Sequence, residues 1–267
     1  MRLPVVADRF YPGNPAQLRS TLHELIPDVS EEEKLEALAV ISPHAGYVYS
    51  GGVAGETMAS VHVPETVVIL GPNHHGRGAA LALGMQDWQM PMGKVAVDQG
   101  LARSIANRSL VITEDETAHD FEHSLEVQVP FLQYFQDSLQ IVPIVVSHVS
   151  YEVCREAARD LAGAIREHER PVLLVASTDM THYESRQEAG RKDRLALERI
   201  TALDPRGLYD TVVDHRISMC GFVPTTIVLL AAVELGASRA KLVRYTDSGE
   251  ASGDISQVVG YAGMIIS

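Results

Sequence analysis

Five runs of apolar and β-branched residues dominate what this chain can fold into: "LAVIS" ending at Ser42, "TVVILG" at 66–71, "ALALG" at 80–84, "LQIVPIVVS" at 139–147 and "PVLLVAST" at 171–178. "VVGYAGMIIS" at the C-terminus reads as another. Runs that stay apolar through consecutive positions suit strands buried on both faces, the situation of a parallel sheet. Such strands need a covering layer on each side, and the segments between them supply it. Val153, Ala157, Leu161 and Ile165 recur at spacing four within "EVCREAARDLAGAIREHE", an apolar stripe with charges opposite. Asp98 stands where an N-cap would precede "QGLARSIANRS". "VPTTIVLLAAVELG" carries Pro224 near its first turn and Gly236 past its end, the asymmetry of a helix. It is apolar all round and therefore central. Strands alternating with helices predict an α/β fold with helices on both faces of a central β-sheet. No internal repeat, low-complexity segment or Pro/Gly/Ser-rich linker interrupts the pattern, so residues 1–267 are expected to form one compact domain.

Charge and cysteine usage narrow the function. A net charge of −13 argues against nucleic acid or an anionic membrane surface as partner, because both require clustered Lys and Arg. The longest apolar stretch, "FVPTTIVLLAAVELGA", contains Pro224 and Glu234 and falls short of the roughly 20 residues of a membrane span. "MRLPVVADRFYPG" has no signal-peptide core, and Cys154 and Cys220 lie too far apart in the chain to suggest a disulfide framework. A cytoplasmic location is expected.

In open α/β sheets ligands bind beyond the carboxyl ends of the strands. "LAVIS" is followed by Pro43-His44-Ala45-Gly46, "VVILG" by Pro72-Asn73-His74-His75, and "VLLVAST" by Asp179-Met180-Thr181-His182. Three strands thus each deliver a histidine to one edge. Alone, each is a turn residue satisfied by water; together, two strand-end imidazoles suit a single metal ion. His74 follows its strand more closely and is the preferred ligand, with His75 a neighbouring or substrate-facing group. "DFEHSLEVQVPFL" spaces His123 and Glu126 three apart, neighbours if helical. Either this is a helix start capped by Asp120 or Ser124, or the imidazole and carboxylate reach the cleft as ligand or acid–base pair. Asp179 and His182, again three apart, suit an Asp that orients an imidazole or tunes a ligand. Cys220 precedes the apolar helix, where backbone N–H groups favour a thiolate, and is a soft ligand or nucleophile. Cys154 reads as a small buried apolar residue.

"PHAGYVYSGG", "LGPNHHG", "DFEHSLEVQVPFL", "STDMTHY" and "MCGFVPT", in this order, resemble the Memo-like protein family. Its bacterial and archaeal members are often called protein B of the AmmeMemoRadiSam system. "ADRFYPGNPAQL", "MPMGKVAVD" and "SGEASGDISQVVGYAG" fit the same pattern, so the resemblance spans nearly the whole chain. It implies a fold similar to that of LigB-type class III extradiol dioxygenases. It also implies metal ligands at His44, His74 and Cys220, with iron(II) or copper as the metal, and Asp179, His182, His123 and Glu126 as further cleft residues. Extradiol cleavage uses two histidines and a carboxylate. Cys220 in the third position softens the site toward Cu(I) or zinc, so the fold does not carry dioxygenase activity with it. The expected function is a metal-binding redox protein or oxidoreductase, with Asp179 and His182 as proton donor or as a pair supporting a metal ligand, and His123 and Glu126 positioning the ligand. A small molecule or peptide is the expected partner, with a pathway link to radical-SAM and AMMECR1-like proteins. Two other functions compete: a non-catalytic ligand-binding module, and a zinc hydrolase with Asp179 or Glu126 as base.

Overall fold

A computed structural model describes all residues from Met1 to Ser267. In chain order the elements begin with α1 (Pro15–Leu25), β1 (Ala39–Ser42), α2 (Tyr47–Ala59), β2 (Thr66–Pro72), β3 (Leu81–Leu83), β4 (Trp88–Met90) and β5 (Gly93–Val97). Next come α3 (Gln99–Arg108), β6 (Thr113–Glu114), a 3-10 turn at Glu126–Gln128, α4 (Val129–Phe135), β7 (Gln140–Val146) and α5 (Tyr151–Glu167). The chain ends through β8 (Val172–Ser177), β9 (His182–Glu184), α6 (Arg186–Thr201), α7 (Pro205–Asp214), α8 (Phe222–Leu235), β10 (Ala240–Asp247), α9 (Gly249–Ser252) and β11 (Val258–Ile266).

The strands form one 11-stranded sheet in the order β10-β11-β1-β8-β2-β7-β3-β6, with β4, β5 and β9 attached beside this path. Its centre, β1-β8-β2-β7, is parallel throughout. These strands are the continuous apolar runs of the sequence, buried along almost their whole length. Alternate side chains go to opposite layers, as the strand period demands. Ile41, Val68, Leu70 and Leu174 join α3, α5, α6, α7 and α8 in one core. Val40, Val67, Ile69 and Leu173 join α1, α2 and α4 in the other. The result is a single α/β domain of three layers.

Local chemistry sets the helix ends. The Asp98 carboxylate accepts from Leu101 N at 3.0 Å and caps α3, and Gly236 closes α8 at φ +105°, a left-handed conformation that a side chain would strain. α8 is buried over most of its length, with Ile227, Val228 and Leu229 fully enclosed. Truncating such an Ile or Leu to Ala costs about 2–5 kcal/mol. No helix is long and apolar enough to cross a membrane.

Register then places the site. Ser42 pairs with Ser177, and Leu70 with Ala176, so β1, β8 and β2 finish nearly level. Two residues past the last residue of each strand stand His44, Asp179 and His74.

Candidate metal centre

His44 is only 2% exposed. Its backbone N–H donates to Asp179 Oδ1 at 2.8 Å, and its Nδ1 lies 3.0 Å from Ser177 Oγ, at the end of the neighbouring strand β8. His74 stands at the open side, with 30% of its side chain exposed. Both of its N–H-bearing positions face Glu122: the backbone N lies 2.7 Å from Oε2 and Nδ1 2.8 Å from Oε1. Glu122 also accepts from the backbone N–H groups of His123 and Ser124, so this one buried carboxylate organises the turn that carries His123. The His123 ring packs 4.6 Å from that of His74 and 5.6 Å from that of His44, with Phe10 of the N-terminal segment behind it at 5.0 Å. One nitrogen from each of His44, His74 and His123 lies within 4.8 Å of the other two.

The electrostatics keep lone pairs available. Burial, reinforced by the neighbouring His74 and His123, holds the His44 imidazole well below its ordinary pKa. Burial brings His123 down to about 4 despite the opposing pull of Glu122. Burial would by itself raise the Glu122 carboxyl, but the hydrogen bond and charge of His74 and the Ser124 N–H hold it well below the usual range. The arrangement therefore sets an anionic carboxylate beside imidazoles of which burial keeps His44 and His123 neutral, the protonation state a metal requires of its histidines. A carboxylate on Nδ1 is also the usual support for a metal-binding histidine. The residues fit a transition metal.

Cys220 approaches this group from the His44 side, its Sγ 3.4 Å from His44 Nε2 and accepting from Asp179 N at 3.3 Å. The start of α8 does not stabilise a thiolate as the sequence position suggested. Desolvation and the Asp179 charge raise the thiol far more than the nearby backbone N–H groups lower it. Asp179 is buried, with Oδ2 3.9 Å from His44 Nε2; burial lifts its carboxyl to about 6 against the N–H bond from His44. It does not orient His182, as expected from the spacing. Ser218 does, accepting from His182 Nδ1 through its carbonyl at 2.9 Å and from the backbone N–H through its hydroxyl at 2.8 Å.

The structure separates the two residues singled out in "DFEHSLEVQVPFL". His123, for which the sequence leaves a ligand or an acid–base role open, stands with the convergent imidazoles. Glu126 faces away from the cleft: it is fully buried and accepts from Arg2 Nη1 at 2.8 Å, Tyr11 Oη at 2.6 Å and the backbone N–H groups of Val5 and Val6. The reason is tertiary. Val127 N–H donates to the His123 carbonyl at 3.1 Å, so a helical turn does join residues 123 and 126, but Arg2, Tyr11 and the backbone of Val5 and Val6 hold Glu126 while the His123 ring packs on His74. Glu126 pins the N-terminal segment that carries Phe10 against the site. His75 is exposed, its ring 6.4 Å from Phe121.

The residues that sequence reasoning passed over are those behind the imidazoles. Glu122 was visible as an acid beside His123, whereas nothing in the strand "VLLVAS" marked Ser177 as a partner of His44. A cavity of about 120 Å³ adjoins His74 and Cys220 and is bounded by Asn73, His148 and Pro224, which gives exposed His148 a place at the site that its sequence context did not suggest.

In overall architecture the chain is similar to an uncharacterized protein of Escherichia coli K12, with a TM-score of 0.56 at 15% identity over 85% of this chain and 98% of the other; this likeness concerns the fold alone. A MEMO1 family protein of Methanopyrus kandleri is 43% identical over 99% of this chain and 98% of its own length. MEMO1 family proteins of Methanothermobacter thermautotrophicus and Aquifex aeolicus are 42% and 41% identical, each over at least 98% of both chains. The pattern described as Memo-like protein matches residues 2–265. The chain belongs to the Memo-like protein family.

Proposed function

We propose that this protein is a metal-dependent redox protein or oxidoreductase that holds iron(II) or copper between His44, His74 and His123, with the Cys220 sulfur as a soft donor beside His44. The convergence of three imidazole nitrogens within 4.8 Å of one another carries the reading. Imidazoles suit iron, copper and zinc, and an added sulfur shifts preference toward Cu(I) or zinc. When bound, the metal supplies Lewis-acid and one-electron chemistry. The chain's own residues do the rest. Asp179, whose carboxyl burial raises above its ordinary value, lies 3.9 Å from His44 Nε2 and can hold a proton there. His182 keeps Nε2 free at the rim because Ser218 engages Nδ1. Phe10 screens His123 from one side. The cavity of about 120 Å³ beside His74 and Cys220 suits a small-molecule substrate, and the link to radical-SAM and AMMECR1-like proteins remains part of this proposal.

The test is metal content by mass spectrometry after anaerobic purification without an affinity metal, alongside a His44→Ala/Cys220→Ser variant. Near-stoichiometric iron or copper in the parent and none in the variant is expected. No metal in either, even after reconstitution with Fe(II), Cu(I) or Zn(II), refutes the reading and leaves ligand binding. Cys220→Ser alone should weaken Cu(I) more than a harder ion; equal affinity removes Cys220 from the donor set. The three-imidazole donor set also favours a second reading, a zinc-dependent hydrolase with Asp179 as base. Turnover that survives strict anaerobiosis selects it.

A further inference from the structure

Behind His44 lies a buried hydrogen-bond chain whose protons can be counted. Ser177 Oγ lies 2.6 Å from the Ser124 carbonyl oxygen, 2.8 Å from Gln128 Nε2 and 3.0 Å from His44 Nδ1. A hydroxyl has one proton and two lone pairs. Two oxygens 2.6 Å apart need a proton between them, and a carbonyl has none to give, so the Ser177 proton goes to Ser124. Gln128 also lies 2.8 Å from the Pro43 carbonyl oxygen and 3.3 Å from that of Ser42, which fixes its NH₂ toward these acceptors and makes it a donor to Ser177. One lone pair of Ser177 is thereby used. The remaining bond to His44 closes only if Nδ1 carries the proton. Nε2 of His44 is then a bare lone pair, 3.4 Å from the Cys220 sulfur, on a ring 5.2 Å from that of His74. The same logic holds for His74, because ionised Glu122 only accepts and Nδ1 must donate.

We propose that Ser177, held by Gln128 and the Ser124 carbonyl, is a positioning residue that fixes the tautomer of His44, as Glu122 holds the Nδ1 proton of His74, so that the His44 Nε2 lone pair is free before any metal arrives. A free neutral histidine favours the opposite tautomer, with the proton on Nε2, which has no lone pair to offer there. The partner of the other ring nitrogen decides between them. The fold thus holds a proton on Nδ1 twice, from two unrelated segments: the end of β8 and the turn at residue 122. The consequence for metal affinity rests on the metal reading above; the tautomers themselves do not.

The experiment is nitrogen-15 NMR of the histidine rings in metal-free protein at neutral pH, on the parent, Ser177→Ala and Ser177→Thr, together with Zn(II) affinity for each. In the parent, His44 should show a protonated Nδ1 and an unprotonated Nε2, and His74 a protonated Nδ1. Ser177→Ala should convert His44 to a mixture or to the Nε2–H form, leave His74 unchanged, and weaken Zn(II) by about 10–100-fold. Ser177→Thr keeps the hydroxyl and should restore both readouts. A parent His44 protonated on Nε2 overturns the proposal. So does a Ser177→Ala variant, folded by its remaining NMR signals, with unchanged His44 tautomer and Zn(II) affinity. Should the tautomers appear as described while the parent binds no Zn(II), Fe(II) or Cu(I), the positioning role stands and the metal reading falls.

Discussion

Replacing Glu126 by Ala separates two roles for that residue that the sequence left open. The carboxylate is fully buried and takes hydrogen bonds from the Arg2 guanidinium, Tyr11 Oη, Val5 N and Val6 N. Arg2 is itself only 7% exposed, donates to the His119 carbonyl at 2.9 Å and lies 4.1 Å over the Trp88 ring. Truncating Glu126 therefore strands a buried cation and several N–H and O–H donors. Removing one partner of a buried ion pair costs about 3–5 kcal/mol. At roughly 2–4 °C per kcal/mol for a chain of this size, the melting temperature should fall by about 6–20 °C. The assay is thermal unfolding of the metal-free protein by calorimetry, with metal affinity measured well below the melting range. Stability should drop while the His44, His74 and His123 group retains its metal. An Arg2→Met/Glu126→Leu double variant should recover part of the loss, because no charge is left unpaired. A Glu126→Ala protein that melts like the parent but no longer binds metal would refute the reasoning and put the carboxylate back in the cleft.

Two other perturbations test the site directly. His44→Ala, His74→Ala and His123→Ala should each remove tight metal binding in a titration, and His75→Ala should retain it; equal loss from His75→Ala would mean that the wrong member of the adjacent pair has been chosen. Asp179 is held at about 6 in the folded protein, mainly by burial, against an ordinary value of 3.8. The native state then binds more protons than the unfolded state between these values, and the stability associated with the neutral carboxyl is lost as pH rises through about 6. Melting temperatures of metal-free Asp179→Asn and parent protein should diverge in favour of the variant as pH rises from 4 to 7, and parallel curves would contradict the raised value.

The strands, the amphipathic helix α5 and the buried helix α8 were legible because their signals are local: apolar runs, a repeat at spacing four, Pro224 at one end and Gly236 at the other. The edge strands were not. β10, "AKLVRYTD", is only partly buried and has no clean alternation, so only its pairing with β11 defines it. The histidines at strand ends could be placed on one edge because parallel strands finish on the same side of a sheet. His123 and Glu126 could not be told apart, because which of them faces the cleft depends on Glu122 and Arg2, brought together from distant parts of the chain.

The sequence by itself determined the α/β class, the single domain and the arrival of His44, His74 and Asp179 at one edge, since strand type and strand ends are written in neighbouring residues. Tertiary structure alone decided that His123 joins the imidazoles, that Glu126 anchors the N-terminal segment, and that Glu122 and Ser177 stand behind the rings of His74 and His44. Those outcomes depend on hydrogen bonds between groups 48 to 133 residues apart, and no local pattern records which donor will meet which acceptor once the strands are in register.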